Sequence, residues 1–239
     1  MTKRLLLISL FFLTAAVASR AQMIGATGKT YPVTLDGDRY VVNGFFTYDG
    51  QADRDIFAKA LLWAVDNVCT TMHDGVTSID YEGLKFTCQL QLASVPGTGM
   101  DNQYYCTATF QVGDGQLLYY VSDIVTQSSM LFMKRVTPLE KLSPEKKESH
   151  KKLFDDFVAS ESALLNGVSQ YVSTYTLSPI TYWDNIVNRN PVKGMTMDEC
   201  KLAFGKPRLE SKMGTTTQWT YTSSLKLFFK GNEVATILR

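Results

Sequence analysis

The chain has 239 residues, with 24 Lys and Arg against 23 Asp and Glu and 45% apolar side chains. A balance this near neutral excludes an electrostatic footprint for nucleic acid or for an anionic membrane, and the apolar content supports a real core. Two histidines and four cysteines confine imidazole, thiol and metal chemistry to very few positions.

Met1-Thr2-Lys3-Arg4 is followed by an almost wholly apolar run, Leu5 to Val17, and then by Ala18-Ser19-Arg20-Ala21. A charged start, a short apolar stretch and a small-residue end predict a secretory signal peptide over residues 1–21. The apolar run is too short for a spanning helix, so no integral membrane segment is expected after its removal. Without Lys3, Arg4 and Arg20 the balance is 21 cations against 23 anions, a net charge near −2. No cysteine precedes Cys69, so no lipid anchor is expected at the mature N-terminus. The expected location is the periplasm, the outer membrane surface or the exterior.

Gly25-Ala26-Thr27-Gly28-Lys29-Thr30 has the flavour of a phosphate loop. It fails on spacing, because the first glycine belongs where Met23 stands. Arg39 to Tyr48 is β-branched and aromatic and predicts a strand. Asp53 is a fair N-cap for a helix whose apolar residues, Ile56, Phe57, Ala60, Leu61, Ala64, Val65 and Val68, recur at helical spacing. Four strands are predicted next, at Val76–Tyr81, Leu84–Ser94, Gln103–Val112 and Gln116–Thr126, with an edge strand at Ser129–Val136. In the second, Phe86, Cys88, Leu90 and Leu92 alternate with Lys85, Thr87, Gln89 and Gln91, which predicts an antiparallel sheet with one solvated face. Ser143-Pro144 predicts the opening of a long helix, with a break near Gly167. This order of elements is similar to a family of secreted Gram-negative proteins of unknown function with a TATA-binding-protein-like fold. The match rests on Phe57-Ala58-Lys59-Ala60-Leu61-Leu62-Trp63 and the Tyr104–Thr126 hairpin. The resemblance implies a fold and not DNA binding.

The most specific local signal is Gly194-Met195-Thr196 to Gly205-Lys206-Pro207. Thr196 and Glu199 fit a capping box, with Met195 as a hydrophobic staple. Gly205 is placed as the left-handed C-cap, and Pro207 forbids continuation of the helix. A second short helix is predicted over Tyr182–Asn188. Strands containing Trp219 and Tyr221, then Leu225 to Phe229, then Val234 to Leu238, predict a three-stranded meander. The whole resembles the BamE/SmpA-type envelope module and the related repeat of β-lactamase-inhibitory proteins, which implies a protein-binding role without catalysis.

Chemistry-bearing constellations are sparse. Pairing the Leu84–Ser94 and Gln103–Val112 strands about residue 97 sets Cys88 opposite Cys106. A cross-strand disulfide is then geometrically available, and two buried thiols are the competing reading. Cys69, His73 and Asp74 lie close in sequence but fall short of a ligand set. Ser143-Pro144-Glu145-Lys146 and Ser223-Ser224-Leu225-Lys226 match Ser-x-x-Lys without its companion motifs. Asp53, Asp55, Asp155 and Asp156 read as solvent-facing charge. The expectation is an α+β protein of two units, residues 22–175 and 176–239, with no catalytic, metal or cofactor residue. Its leading role is a non-enzymatic envelope protein that binds another envelope protein. The alternatives are an inhibitor or small-ligand binder with a pocket between the units, and a hydrolase with an unrecognised site.

Overall fold

The computed structural model describes residues 33–94, 102–130 and 133–239, apart from the side chains of residues 128–130 and 133–134. The signal-peptide expectation, the Gly25–Thr30 stretch and the loop over 95–101 lie outside the described residues.

A large antiparallel sheet contains β1 (Val33–Asp36), β2 (Arg39–Thr47), β3 (Val76–Asp80), β4 (Lys85–Ala93), β5 (Gln103–Gly113), β6 (Gln116–Met130) and β7 (Met133–Pro138). The order is β1-β2-β6-β5-β4-β3, and β7 also pairs with β6. Strand β6 is long enough to serve two partners on the same side. Its first half, through Val121, pairs with β2, and its second half, from Val125, pairs with β7. A bulge opposite Cys106 marks the handover, where Asp123 adopts a φ of 53°. Before it Leu117 and Val121 are buried, and after it Ile124 and Thr126 are. The extra residue resets the alternation and keeps the inward face apolar through the bend. The opposite face of the sheet is solvated, as predicted, with Thr87 bonded to Thr109 and Gln89 to Thr107 across strands.

Helix α1 (Asp53–Asn67) buries Ile56, Phe57, Ala58, Ala60, Leu61, Leu62, Trp63, Ala64 and Val65. A helix apolar on every side must be covered on every side. It touches β4, β5 and β6, and also α2 (Glu148–Thr174) and α4 (Met197–Phe204). Asp53 lies in the first turn and does not cap it. The N-cap position is Ala52, while the Asp53 carboxylate accepts the N–H groups of Asp114 and Gly115 and ties the β5–β6 turn to the helix. Helix α2 opens at Glu148, not at Ser143. Residues 144–146 form a turn, and the Ser143 N–H donates to His150 Nδ1 at 2.9 Å. The helix runs unbroken past Gly167 for 27 residues, about 40 Å. Leu165 and Val168 are buried on either side of that glycine, and their packing outweighs its helix penalty of ~1 kcal/mol.

The remaining residues form α3 (Trp183–Val187), α4 and a second sheet of β8 (Leu209–Met213), β9 (Thr216–Thr220), β10 (Lys226–Lys230) and β11 (Glu233–Leu238), in the order β11-β10-β9-β8. The meander therefore has four strands, one more than predicted. Strand β8 carries little apolar alternation, and four of its five residues are exposed. The capping box is present. Thr196 Oγ1 accepts the Glu199 N–H at 3.2 Å, and Glu199 Oε2 accepts the Thr196 N–H at 2.8 Å. Glu199 does more than cap, because its Oε1 also accepts the N–H groups of Thr181 and Tyr182. One fully buried carboxylate thus fixes the entry to α3 as well as to α4.

The two sheets share a continuous apolar core. Their joint is made by backbone. Met72 N–H donates to the Lys206 carbonyl at 2.5 Å, and Lys206 N–H to the Met72 carbonyl at 2.8 Å. Gly205 sits against this bridge at φ 79°, ψ −153°. The positive φ was predicted, but the backbone is extended there and does not follow the ordinary left-handed cap. The Tyr81 hydroxyl donates to the Leu202 carbonyl at 2.6 Å, and Lys201 pairs with Asp66 at 2.6 Å, while Tyr171 also donates to Asp66.

Candidate functional site

The inward stripe of α2 reads Phe154, Phe157, Glu161, Leu165, Val168 and Val172, all buried. The spacing of three and four is that of one helix face. Glu161 therefore occupies a core position in an apolar row, and Asp156, about 140° around the helix from it, is buried too. The two acids are treated differently. Asp156 Oδ2 accepts the Tyr104 hydroxyl and the Ser94 hydroxyl, both at 2.6 Å. The sequence reading of Asp156 as solvent-facing is corrected: it is 2% exposed and bolts α2 to β5 and to the residue that follows β4. Glu161 is 3% exposed, and its Oε1 has no hydrogen-bond partner among the described residues.

Glu161 lines a cavity of about 230 Å³ with Val42, Phe46, Tyr119, Ser162, Leu165 and Asn166. The floor comes from the sheet, where Val42 pairs with Val121, Gly44 with Tyr119 and Phe46 with Leu117. Gly44 makes room for its partner, because a side chain there would meet the Tyr119 hydroxyl. The Phe46 and Tyr119 rings lean together at 5.3 Å and 33°. Val42, Phe46, Tyr119 and Leu165 are thus apolar walls around a single carboxyl. Ser162 and Asn166 form the polar side, with Asn166 exposed.

Burial raises the Glu161 carboxyl from 4.5 to about 7, opposed by a hydrogen bond from Ser162. At neutral pH it is divided between its acid and its anion. Two neighbours register its charge. After burial, Glu161 is what raises the Cys106 thiol, which stands at about 12, and it also raises the Tyr119 hydroxyl.

The positions singled out in the sequence do not converge on this site. Cys106 pairs with Leu90 and Cys88 with Ala108. The paired positions sum to 196, where a centre at 97 requires 194, and this register moves Cys88 two residues away from Cys106 along the strand. The expected direct pairing is therefore corrected to a diagonal one, and all four cysteines are buried free thiols. Burial raises Cys88 far above the ordinary thiol range, with smaller contributions from Cys106 and Cys69. Electrospray mass measurement under non-reducing conditions should find four alkylatable thiols after unfolding and none before it. A mass 2 Da lower would instead show one disulfide, and a Cys88–Cys106 crosslinked peptide in the digest would return it to the hairpin.

Burial holds His73 down to about 4, with the Arg189 guanidinium pushing the same way and a hydrogen bond with the Lys201 backbone opposing both. Its Nε2 has no partner among the described residues. Asp74 turns back on its own loop, taking the Thr70 hydroxyl and the N–H groups of Thr70 and Thr71. Among the described residues no cluster of three or more His, Cys, Asp or Glu could hold a metal ion. A larger hollow, about 390 Å³, lies between Asn188–Pro191, Ser224, Leu225 and Arg239. Of its two arginines, Arg239 donates to Asn190 and to the Pro191 carbonyl and Arg189 is exposed; none of the buried, unbonded polar groups among the described residues lines it, so the Glu161 cavity is the better candidate.

No helix among the described residues is long and apolar enough to cross a membrane. No family model matches the chain, and no curated protein matches it. Solved structures do. A TBP-like protein from Parabacteroides distasonis is similar at a TM-score of 0.51 and 11% identity, over 59% of this chain and 97% of that one. A DUF4468 family protein from Bacteroides ovatus is similar at 0.48 and 11% identity, over 62% and 94%. The class defined by the fold is therefore α+β with antiparallel sheets, and the chain is similar to a TBP-like protein.

Proposed function

We propose that this chain is an exported, non-enzymatic binding protein of the cell envelope, and that it holds a small ligand or a partner's side chain in the Glu161 pocket. The observation that carries the reading is a nearly buried carboxyl, that of Glu161, lining an open, aromatic-walled cavity. A few polar groups converging in an apolar hollow are the usual make-up of a ligand site. The pocket lies between α2 and the large sheet, whereas the sequence reading placed it between the units. Among the described residues neither histidine is bonded to an acid in the manner a hydrolytic site would need. His150 takes a backbone N–H, and His73 bonds to the Lys201 backbone. The BamE-like reading of residues 176–239 belongs to the same proposal, supported by the capping box, Gly205 and the meander.

A second reading has its own support. Leu209 and Met213 are 60% and 59% exposed on β8, an edge strand of the small sheet, and exposed apolar side chains on an unpaired edge suit a protein partner. A fragment library screened by ligand-observed NMR against the full chain separates the two. Fragments should bind the parent protein and fail to bind Asn166→Trp, which fills the mouth from an exposed position, with the melting temperature unchanged. Hits indifferent to that substitution would remove the pocket from consideration. An envelope protein held by Asn166→Trp but released by Leu209→Glu would move the assignment to the small sheet.

A further inference from the structure

We infer that β8 pairs with β8 of a second copy of this chain, antiparallel, about a two-fold axis at Ser211. The inference deepens the second reading, that β8 receives a protein, and does not involve the Glu161 pocket. Strand β8 ends the small sheet and pairs with β9. The other end of that sheet is covered, because the Gly194 N–H donates to the Val234 carbonyl of β11 and the Val234 N–H to the Met195 carbonyl. The turn between β8 and β9 holds two residues, Gly214 and Thr215, so Met213 and Thr216 form a hydrogen-bonded pair, and Ser211 and Leu209 repeat it along β9. Tyr221 agrees: its N–H donates to the Leu225 carbonyl at the start of β10, so Trp219 and Thr217 bond to β10 and leave Thr220, Gln218 and Thr216 for β8. Glu210 and Lys212 therefore direct their backbone N–H and C=O to the open edge. Among the described residues no backbone bond outside the strand ladders reaches either of them, and neither side chain is in an ion pair.

The strand reads Leu209-Glu210-Ser211-Lys212-Met213. Read backwards it is apolar, base, serine, acid, apolar, the charge complement of itself. An antiparallel copy therefore sets Glu210 opposite the partner's Lys212, and Lys212 opposite the partner's Glu210. These are the two positions with open backbone groups, so each ion pair stands on a hydrogen-bonded pair that exchanges both N–H···O bonds. On the other face Leu209 meets the partner's Met213, and Met213 the partner's Leu209, which covers two exposed apolar side chains.

The same charges select this register. A slip of one residue would oppose open backbone groups to residues already bonded to β9, and no ladder could form. A slip of two in one direction sets Glu210 against the partner's Glu210, and in the other Lys212 against the partner's Lys212. Like charges directly opposite are destabilising. A lysine on an edge strand ordinarily keeps other strands away. Here the acid two residues before it lifts that protection for one partner in one alignment. The contact is isologous, and it joins two 4-stranded sheets into one.

Sedimentation velocity of the full chain, over a series reaching about 0.3 mM to suit a small interface, should show a reversible dimer that weakens as salt rises. Glu210→Lys and Lys212→Glu, made singly, should each weaken it about tenfold or more, with the melting temperature unchanged. Mixed in equal amounts, the two variants should form a heterodimer as tight as the parent dimer, because each charge on the edge then meets its opposite. Ser211→Cys reports the alignment. Ser211 opposes the partner's Ser211 as a non-hydrogen-bonded pair, a spacing at which a cross-strand disulfide can close. That variant should link into a covalent dimer in a glutathione disulfide buffer, one glutathione disulfide being reduced for each link formed, and Met213→Cys should not. A monomer at every concentration with no Ser211→Cys link overturns the inference. So does a dimer indifferent to the charge reversals, or one linked as readily through Met213→Cys. Retention of another envelope protein through β8 by a chain that stays monomeric also overturns it, while upholding the second reading.

Discussion

Replacement of Gly205 by alanine should cost more than about 4 kcal/mol and leave little folded protein at ordinary temperatures. Two penalties add at that position. A backbone with φ 79° and ψ −153° lies in a region open essentially to glycine, worth about 1–3 kcal/mol against any other residue. A methyl group there would also overlap the Met72 carbonyl, which is backbone and already committed to the Lys206 N–H. Relief requires the bridge to open, and with it the packing of α4 against α1. Urea denaturation of Gly205→Ala beside Gly214→Ala is the measurement. Gly214 also has a positive φ, 61°, but a Cβ there meets nothing within 4 Å. Equal losses for the two would mean that close approach contributes nothing and the joint is looser than described.

The second large effect is a reversal of the usual acid behaviour at Glu161. Its carboxyl titrates at about 7 in the folded chain and near 4.5 when unfolded. Below pH 4.5 both states hold the proton, and the contribution to stability is complete. Between 4.5 and 7 only the folded state holds it, so stability falls as pH rises. The loss amounts to about 3 kcal/mol and is complete above pH 7. Glu161→Gln cannot ionise and should escape this loss, so it should be the more stable protein at pH 8 and close to the parent at pH 4.5. Urea midpoints of both proteins at the two pH values provide the test. Other carboxylates titrate in both proteins and cancel in the difference. A Glu161→Gln variant no more stable at pH 8 would show that the carboxyl is solvated and the pocket is wet to its floor.

Local chemistry was the legible part of the sequence. Thr196 and Glu199 announced their capping box because both partners lie within one helical turn. The large strands announced themselves by alternation, and β4 shows which face is dry. Long-range facts were hidden. The hairpin register depends on the length of a loop, so an error of one residue in its centre displaced Cys88 from Cys106 by two. Asp53 was read as a cap because a carboxylate at a helix start has two uses, and only the fold brings Asp114 and Gly115 within its reach. Ser143 resembled a cap for the same reason and bonds instead to His150. The candidate site left one readable trace. The apolar stripe of α2 is interrupted between Phe157 and Leu165, where the spacing requires a core residue and Glu161 supplies an acid. Charge alone concealed it, since an acid in a charged helix is ordinarily taken as surface.

The bulge in β6 makes the numbering of that strand rigid. Asp123 is a spare residue, and everything beyond it is in step only because it is there. Removing it, or adding one more, would turn Ile124 and Thr126 to water and send Val125 and Gln127 into the core. A change of two residues would preserve the facing of every side chain and merely slide the rail along β5. Descendants of this chain are therefore free to lengthen or shorten that rail by pairs, and held to its parity.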